Sequence, residues 1–97
     1  MNDLQTQAHF NASLKKMYGI TLEWYNKQHD VQGGLCAICS QPEKMKINGQ
    51  VVRLAVDHCH DTGRIRGLLC SDCNRGLGFL KHSSDLLRAS VKYLEEY

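Results

Sequence analysis

Two Cys-x2-Cys pairs constrain the fold of this chain more than any other feature of its sequence. Cys36 and Cys39 form the first pair, Cys70 and Cys73 form the second, and residues 40–69 lie between them. Two such turns can direct four thiolates at one ion, which is the ligand set of a tetrahedral zinc site. Because four protein ligands leave no open coordination position, we expect a structural zinc ion. A disulfide pair and an iron–sulfur cluster are the alternatives.

The length and composition of the chain favour a small domain stapled by a metal. The chain has 97 residues, a formal net charge of +2 and five cysteines. A chain of this length forms a thin hydrophobic core, so a bound metal would add substantially to its stability. We expect one domain over residues 1–97, with N-terminal helices (1–34), a zinc-bound core (35–82) and a C-terminal helix (83–97).

The N-terminal sequence and the cysteine usage indicate the compartment. The first residues lack the basic and apolar stretches of a signal peptide, and no apolar run is long enough to span a membrane. In a reducing compartment, clustered cysteines more often hold a metal than form disulfides. We therefore expect a soluble, cytoplasmic protein.

Hydrophobic periodicity and turn signals predict a small α+β fold. Thr21 stands where a helix N-cap is expected, and Asn48-Gly49 is typical of a two-residue hairpin turn. Two helices are predicted first, over about 3–17 and over Leu22–Val31, followed by a hairpin around Asn48-Gly49. A strand over 54–56 and a returning strand over 64–69 come next, and then a helix over about Asn74–Lys81. A last helix is predicted from Ser83 or Ser84 to about Glu95, with Leu87, Val91 and Leu94 on one face.

A second group of residues has the chemistry of a catalytic site. Asp57, His58 and His60 lie together at the end of a predicted strand, and Asn74 directly follows the last cysteine of the second pair. A carboxylate and an amide oxygen form an incomplete oxygen shell, which suits Mg²⁺ and leaves room for water and a phosphate oxygen. A neighbouring neutral imidazole could act as a general base on water.

The residues alone leave other functions open. A zinc module that only binds nucleic acid or a protein partner would need the four cysteines but not the Asp-His-Asn group. A redox or disulfide-exchange protein could also use Cys-x2-Cys pairs. Cys59 lies between two histidines, and strand alternation predicts that its side chain points away from theirs, as a buried or spectator thiol.

Three segments together resemble a known nuclease family. They are Cys36-x2-Cys39, Val56-Asp57-His58-Cys59-His60 and Arg66-Gly67-Leu68-Leu69-Cys70-x2-Cys73-Asn74. This combination is similar to the phage recombination endonuclease VII family, which belongs to the HNH or His-Me finger nucleases. The resemblance covers about residues 18–82 and implies a zinc-stapled ββα-metal core with flanking helices.

The resemblance also implies a divalent-metal DNA endonuclease that hydrolyses phosphodiester bonds. Asp57 and Asn74 match the family's ligands for a catalytic Mg²⁺ or Mn²⁺, and the four cysteines match its zinc ligands. His58 matches the general base. His60 matches a second active-site histidine, which contacts or positions the phosphate. The expected products carry a 5′-phosphate and a 3′-hydroxyl.

Basic residues around the predicted site are candidates for contacting DNA phosphates. Arg66 and Arg75 flank the site most closely, and Arg64 lies at the start of the predicted returning strand. No base-reading helix is evident, so we expect little sequence specificity. DNA is the expected partner, and a second copy of the chain and phage or prophage DNA-processing proteins in a bacterial host are further candidates.

Overall fold

A computed structural model of the protein describes the backbone of residues 3–97 and the side chains of residues 7–97. Within this range the chain forms four helices and two small antiparallel sheets. The elements are α1 (Asp3–Tyr18), α2 (Leu22–Val31), β1 (Lys46–Ile47), β2 (Gln50–Val51), β3 (Ala55–His58), β4 (Ile65–Leu69), α3 (Ser71–Phe79) and α4 (Ser84–Glu96). The predicted small α+β fold is confirmed.

Local signals in the sequence account for several element boundaries. Thr21 is the N-cap of α2, since its Oγ1 accepts a hydrogen bond from the Trp24 backbone N–H at 3.0 Å. Asn48 and Gly49 join β1 to β2 with positive φ values of 53° and 78°, which is the backbone of a type I′ turn. Both predictions are confirmed.

Helix α3 begins three residues earlier than the sequence predicts. Cys70 is its N-cap, and the Cys70 Sγ accepts a hydrogen bond from the Cys73 backbone N–H at 3.4 Å. A cysteine is not among the usual capping residues, so the predicted start at Asn74 was wrong. As a consequence, the second cysteine pair straddles the helix N-terminus and Asn74 lies inside the first turn.

The core lies between α1, α2 and the β3–β4 hairpin. Its buried residues are Leu14, Tyr25, Cys36, Leu54, Val56, Leu68, Leu69 and Cys70. The Tyr25 hydroxyl donates to the Leu54 carbonyl at 2.6 Å, and burial raises the pKa of Tyr25 to about 12. Phe10 on α1 packs edge-on against the same ring at 4.9 Å between centroids. The tyrosine therefore anchors both N-terminal helices to the segment that leads into β3.

Strands β3 and β4 with helix α3 form a ββα unit. Ala55 pairs with Leu69 at one end of the hairpin, and a register irregularity lies between Asp57 and His58 at the other. Helix α3 follows β4 directly and contacts β3. This arrangement brings the end of β3 and the face of α3 to the same side of the molecule.

Helix α4 contributes little to the core. Ser83 caps it, with Oγ accepting from the Leu86 N–H at 3.1 Å. On the face predicted to be apolar, Leu87 is half-buried, whereas Val91 and Leu94 are exposed. Among residues 3–97, no helix is long and apolar enough to cross a membrane.

Candidate metal centre and active site

The four paired cysteines converge on one point. One ligand sulfur from each of Cys36, Cys39, Cys70 and Cys73 lies within 4.8 Å of the others. The Cys39 and Cys70 sulfurs are 3.8 Å apart, which matches the edge of about 3.8 Å in a tetrahedron with metal–sulfur bonds of about 2.3 Å. This separation is far longer than a disulfide bond of about 2.05 Å. The donor set therefore fits a metal ion rather than two disulfides.

The four thiols differ in their protonation preferences, and all four would ionise together only beside a positive charge. Burial raises the pKa of Cys36, but the backbone N–H groups of Cys39, Cys70 and Ile38 outweigh it and lower that pKa to about 6. Burial and the neighbouring sulfurs raise the pKa of Cys70 and Cys73 above the usual range. Four crowded thiols would not all ionise in the absence of a positive charge. A metal ion supplies that charge.

Glu43 joins the loop after the first cysteine pair to the start of α3. Its Oε2 accepts hydrogen bonds from the Ser71 backbone N–H at 2.7 Å and from the Ser71 hydroxyl at 3.0 Å. Although burial raises the pKa of Glu43, N–H donors from Met45, Ser71 and Lys44 lower it overall. A carboxylate beside a helix N-terminus is also favoured by the helix dipole. This contact links the segments that carry the two cysteine pairs.

Asp57 is the one buried charged side chain among the described side chains, with 6% of its surface exposed. Arg66 on β4 binds it through two parallel hydrogen bonds, from Nε to Oδ2 at 2.6 Å and from Nη2 to Oδ1 at 3.0 Å. A carboxylate accepts about four hydrogen bonds, so lone pairs remain for a cation. The buried charge and its fixed orientation fit the predicted role in holding Mg²⁺ or Mn²⁺.

Three histidine rings lie side by side at the end of β3. The rings of His58 and His60 are 4.8 Å apart and nearly parallel, and His60 lies 4.5 Å from His82. On the other side of His58, Tyr18 of α1 packs at 5.4 Å between centroids. His58 is half-buried and His60 is exposed. The structure thus brings together the two predicted histidines and fixes the orientation of the His58 ring.

Asn74 is half-buried on α3, the helix that contacts β3. The Asn74 backbone N–H donates to the Cys70 carbonyl at 2.9 Å, so the Asn74 backbone is held next to the cysteine cluster. An amide oxygen is a ligand that Mg²⁺ accepts. The donor chemistry of Asp57 and Asn74 therefore suits a hard divalent cation, with Asn74 as a ligand remaining a prediction.

The three predicted DNA-contacting arginines differ in their environments. Arg66 is engaged by Asp57, and Arg75 makes an exposed ion pair with Asp72 at 2.9 Å. Among the described residues Arg64 makes no ion pair, and its side chain is exposed. Arg64 is thus the predicted contact whose charge is most available to a phosphate.

His82 also lies beside this site, although it was not among the residues predicted from the sequence. It lies in the turn between α3 and α4, far from the Asp57-His58 motif in sequence, and no motif pointed to it. Its Nδ1 is 3.1 Å from Nη2 of Arg66. Together with Cys59, His60, Asp61 and Lys81, it lines an open cavity of about 420 Å³ beside Arg66.

Cys59 is half-buried and takes no part in the four-cysteine cluster, as predicted.

Comparison with known proteins identifies the family. The family model for recombination endonuclease VII matches residues 11–96, which include every candidate site residue. The chain belongs to the recombination endonuclease VII family. It is similar to the Gene 59 protein of Mycobacterium phage D29, with 42% identity over 80 residues that cover 81% of this chain and 46% of that protein. The Gene 59 protein of Mycobacterium phage L5 is 41% identical over 78 residues, covering 79% and 44% of the two chains.

A solved structure supports the fold assignment for this endonuclease VII family member. The crystal structure of the ββα-Me type II restriction endonuclease Hpy99I aligns with a TM-score of 0.52 and 33% identity, over 89% of this chain and 48% of that one. The ββα-metal core predicted from the sequence is therefore confirmed. The chain spans less than half the length of each of these relatives.

Proposed function

We propose that this protein is a divalent-metal-dependent DNA endonuclease. The observation that carries the proposal is the buried Asp57 carboxylate directly before His58, whose ring packs between Tyr18 and His60. Membership of the recombination endonuclease VII family and similarity to a ββα-Me restriction endonuclease support the same function. A module that only binds DNA would have no need for a buried carboxylate beside an oriented imidazole.

The candidate site has a structural part and a catalytic part. We assign zinc to Cys36, Cys39, Cys70 and Cys73, where it closes the loop between the two cysteine pairs and leaves no position for substrate. Asp57 and Asn74 would hold Mg²⁺ or Mn²⁺. When bound there, such an ion would supply charge stabilisation for the phosphate and for the leaving oxygen.

Phosphodiester hydrolysis assigns a separate task to each histidine. His58 accepts a proton from the attacking water as the new P–O bond forms, and the bond from phosphorus to the 3′ oxygen breaks. The leaving oxygen takes a proton from solvent, so the products are a 5′-phosphate and a 3′-hydroxyl. His60 contacts the phosphate and supports the His58 ring. Arg64 and Arg75 bind neighbouring phosphates, which gives affinity without sequence specificity.

The function is tested by incubating the zinc-loaded protein with supercoiled, linear and four-way-junction DNA, with and without Mg²⁺ or Mn²⁺. We expect cleavage that requires the divalent cation, with the His58→Ala variant as the matched control. The relative rates on the three substrates then define the preferred DNA shape. Metal-independent binding of DNA without cleavage of any substrate would instead support a non-catalytic zinc module.

A further inference from the structure

A chain of three side chains connects the turn after α3 to the end of β3. Nη2 of Arg66 lies 3.1 Å from Nδ1 of His82 and donates to Oδ1 of Asp57 at 3.0 Å. The same nitrogen lies 3.2 Å from the His58 carbonyl, and because it has two hydrogens, two of these three acceptors share one of them. The three residues come from three separate segments of the ββα unit, so their contacts depend on its tertiary structure.

The direction of the His82 contact follows from the chemistry of its partner. A guanidinium can only donate hydrogen bonds, so Nδ1 of His82 accepts and the ring carries its proton on Nε2. The Arg66 side chain is 38% exposed, whereas that of Asp57 is 8% exposed. A partly exposed arginine has freedom to leave its partner, and the His82 acceptor restricts that freedom from the solvent side.

The backbone at this turn adopts an uncommon conformation. Lys81 and His82 both have positive φ, 58° and 54°, although neither is glycine. Left-handed backbone is uncommon for non-glycine residues, although it occurs where helices end, and histidine adopts it more often than most residues. The His82 N–H donates to the Leu77 carbonyl at 2.8 Å, and Ser83 caps α4 directly afterwards. The His82 ring is thereby held over Arg66.

We propose that Arg66 and His82 are positioning residues that fix the Asp57 carboxylate for divalent-cation binding. Arg66 holds both carboxylate oxygens in one plane, and His82 holds Arg66. Neither residue needs to touch the cation or the DNA. The proposal rests on the proposed function only in taking Asp57 as a cation ligand, and it assigns to Arg66 a task other than phosphate binding.

The test uses Mn²⁺ binding to the zinc-loaded protein without DNA, measured from the electron paramagnetic resonance signal of free Mn²⁺. His82→Gly and His82→Asn form a matched pair, because both residues tolerate positive φ but only asparagine offers an acceptor near the position of Nδ1. We expect His82→Gly to weaken Mn²⁺ binding about 3- to 10-fold, and His82→Asn to stay within about 2-fold of wild type.

The Arg66→Lys variant tests the second contact of the chain, between Arg66 and Asp57. Lysine keeps the positive charge but cannot make two parallel hydrogen bonds, so we expect a loss of Mn²⁺ affinity of about 10-fold or more. The matched control is Arg88→Lys on α4, where the arginine pairs with exposed Asp85 at 2.6 Å. This variant should bind Mn²⁺ like wild type. Zinc content and far-ultraviolet circular dichroism verify that each variant is folded.

Several results would overturn the proposal. Equal Mn²⁺ affinity in His82→Gly and His82→Asn would remove His82 from the chain of contacts. Unchanged Mn²⁺ binding in Arg66→Lys, with weaker DNA binding in metal-free buffer, would make Arg66 a phosphate contact instead. Wild-type protein that binds no Mn²⁺ would also refute it. If the Mn²⁺ affinities of the His82 and Arg66 variants are as expected but no DNA is cleaved, the positioning proposal stands and the nuclease proposal fails.

Discussion

At the scale of single residues, the site depends on how His58 is held. Its ring has Tyr18 on one side and His60 on the other, and it directly follows the buried Asp57. A general base must keep its orientation towards the water it deprotonates. The aromatic neighbours restrict ring rotation, and the β3 backbone fixes the distance from the carboxylate. His60 also has two ring neighbours, His58 and His82, but its side chain is exposed whereas that of His58 is half-buried.

Replacement of His58 tests the base directly. We expect His58→Ala to keep its zinc, fold and DNA affinity, while cleavage falls by about 10²-fold or more. A base must be unprotonated to accept a proton, so wild-type cleavage should rise with pH, and this rise should disappear when the base is removed. The measurement is the pH–rate profile on supercoiled plasmid, with added imidazole expected to restore part of the lost rate. His60→Ala should lower the cleavage rate less than His58→Ala does. Equal pH–rate profiles for wild type and His58→Ala would show that another group is the base.

Replacement of Asn74 tests the second cation ligand. Asn74→Ala should keep the fold, because the helix hydrogen bond from its N–H to the Cys70 carbonyl involves only the backbone. It removes an amide oxygen from a cation with few protein ligands, so cleavage should require a higher Mg²⁺ concentration and be largely lost at limiting Mg²⁺. The measurement is the initial rate as a function of Mg²⁺ concentration. A wild-type Mg²⁺ dependence in this variant would show that Asn74 is not a ligand.

At the scale of secondary-structure elements, Gln32 joins α2 to the β3–β4 hairpin. Its Oε1 accepts from the Leu68 N–H at 3.0 Å, and its Nε2 donates to the Leu68 carbonyl at 2.9 Å. The side-chain amide thus continues the sheet on the outer edge of β4, where a further strand would otherwise pair. Leu68 is completely buried. Loss of this contact would leave the Leu68 N–H without its partner.

Gln32→Ala should therefore destabilise the protein more than its partial exposure suggests. It leaves the buried Leu68 N–H without a partner, which costs about 1–3 kcal/mol in the free energy of unfolding. The Leu68 carbonyl keeps a second donor, the Ala37 N–H at 3.1 Å. The matched control is Gln28→Ala, since Gln28 donates only to the Gln32 side chain at 2.9 Å. Urea unfolding of both variants measures the difference, and equal losses would contradict the role of Gln32.

Sequence patterns predicted the elements of this fold better than the contacts between them. Thr21 and Asn48-Gly49 act through hydrogen bonds and φ preferences within a few residues, and these are readable from local sequence. The pairings of Gln32 with Leu68 and of Arg66 with His82 join residues 36 and 16 positions apart. No local pattern encodes such contacts. For this reason the sequence pointed to the cysteines and the Asp57-His58 pair but not to His82.

At the scale of the whole molecule, the paired cysteines link two segments that lie far apart in the chain. Two of the eight buried core residues, Cys36 and Cys70, are themselves members of the cysteine cluster. The first pair lies in a loop after α2, and the second lies at the start of α3, directly after β4. A bound ion thus fixes the ββα unit to the N-terminal half of the molecule. Loss of the ion would weaken the attachment of α3, which carries Asn74, and would leave the Glu43–Ser71 contact as a remaining link to the loop after the first pair.

Replacement of Cys70 tests this dependence, with Cys59 as its matched control. Cys70→Ser removes one of four thiolates, while the serine hydroxyl can still cap α3, so the variant isolates the loss of a zinc ligand and forfeits much of a zinc-binding free energy of roughly 10 kcal/mol that is coupled to folding. We expect loss of zinc by atomic absorption and loss of a cooperative thermal transition by circular dichroism. Cys59→Ser changes a half-buried thiol outside the cluster and should keep about one zinc per chain and a wild-type melting temperature. A Cys70→Ser protein with both properties intact would refute a structural zinc at this site.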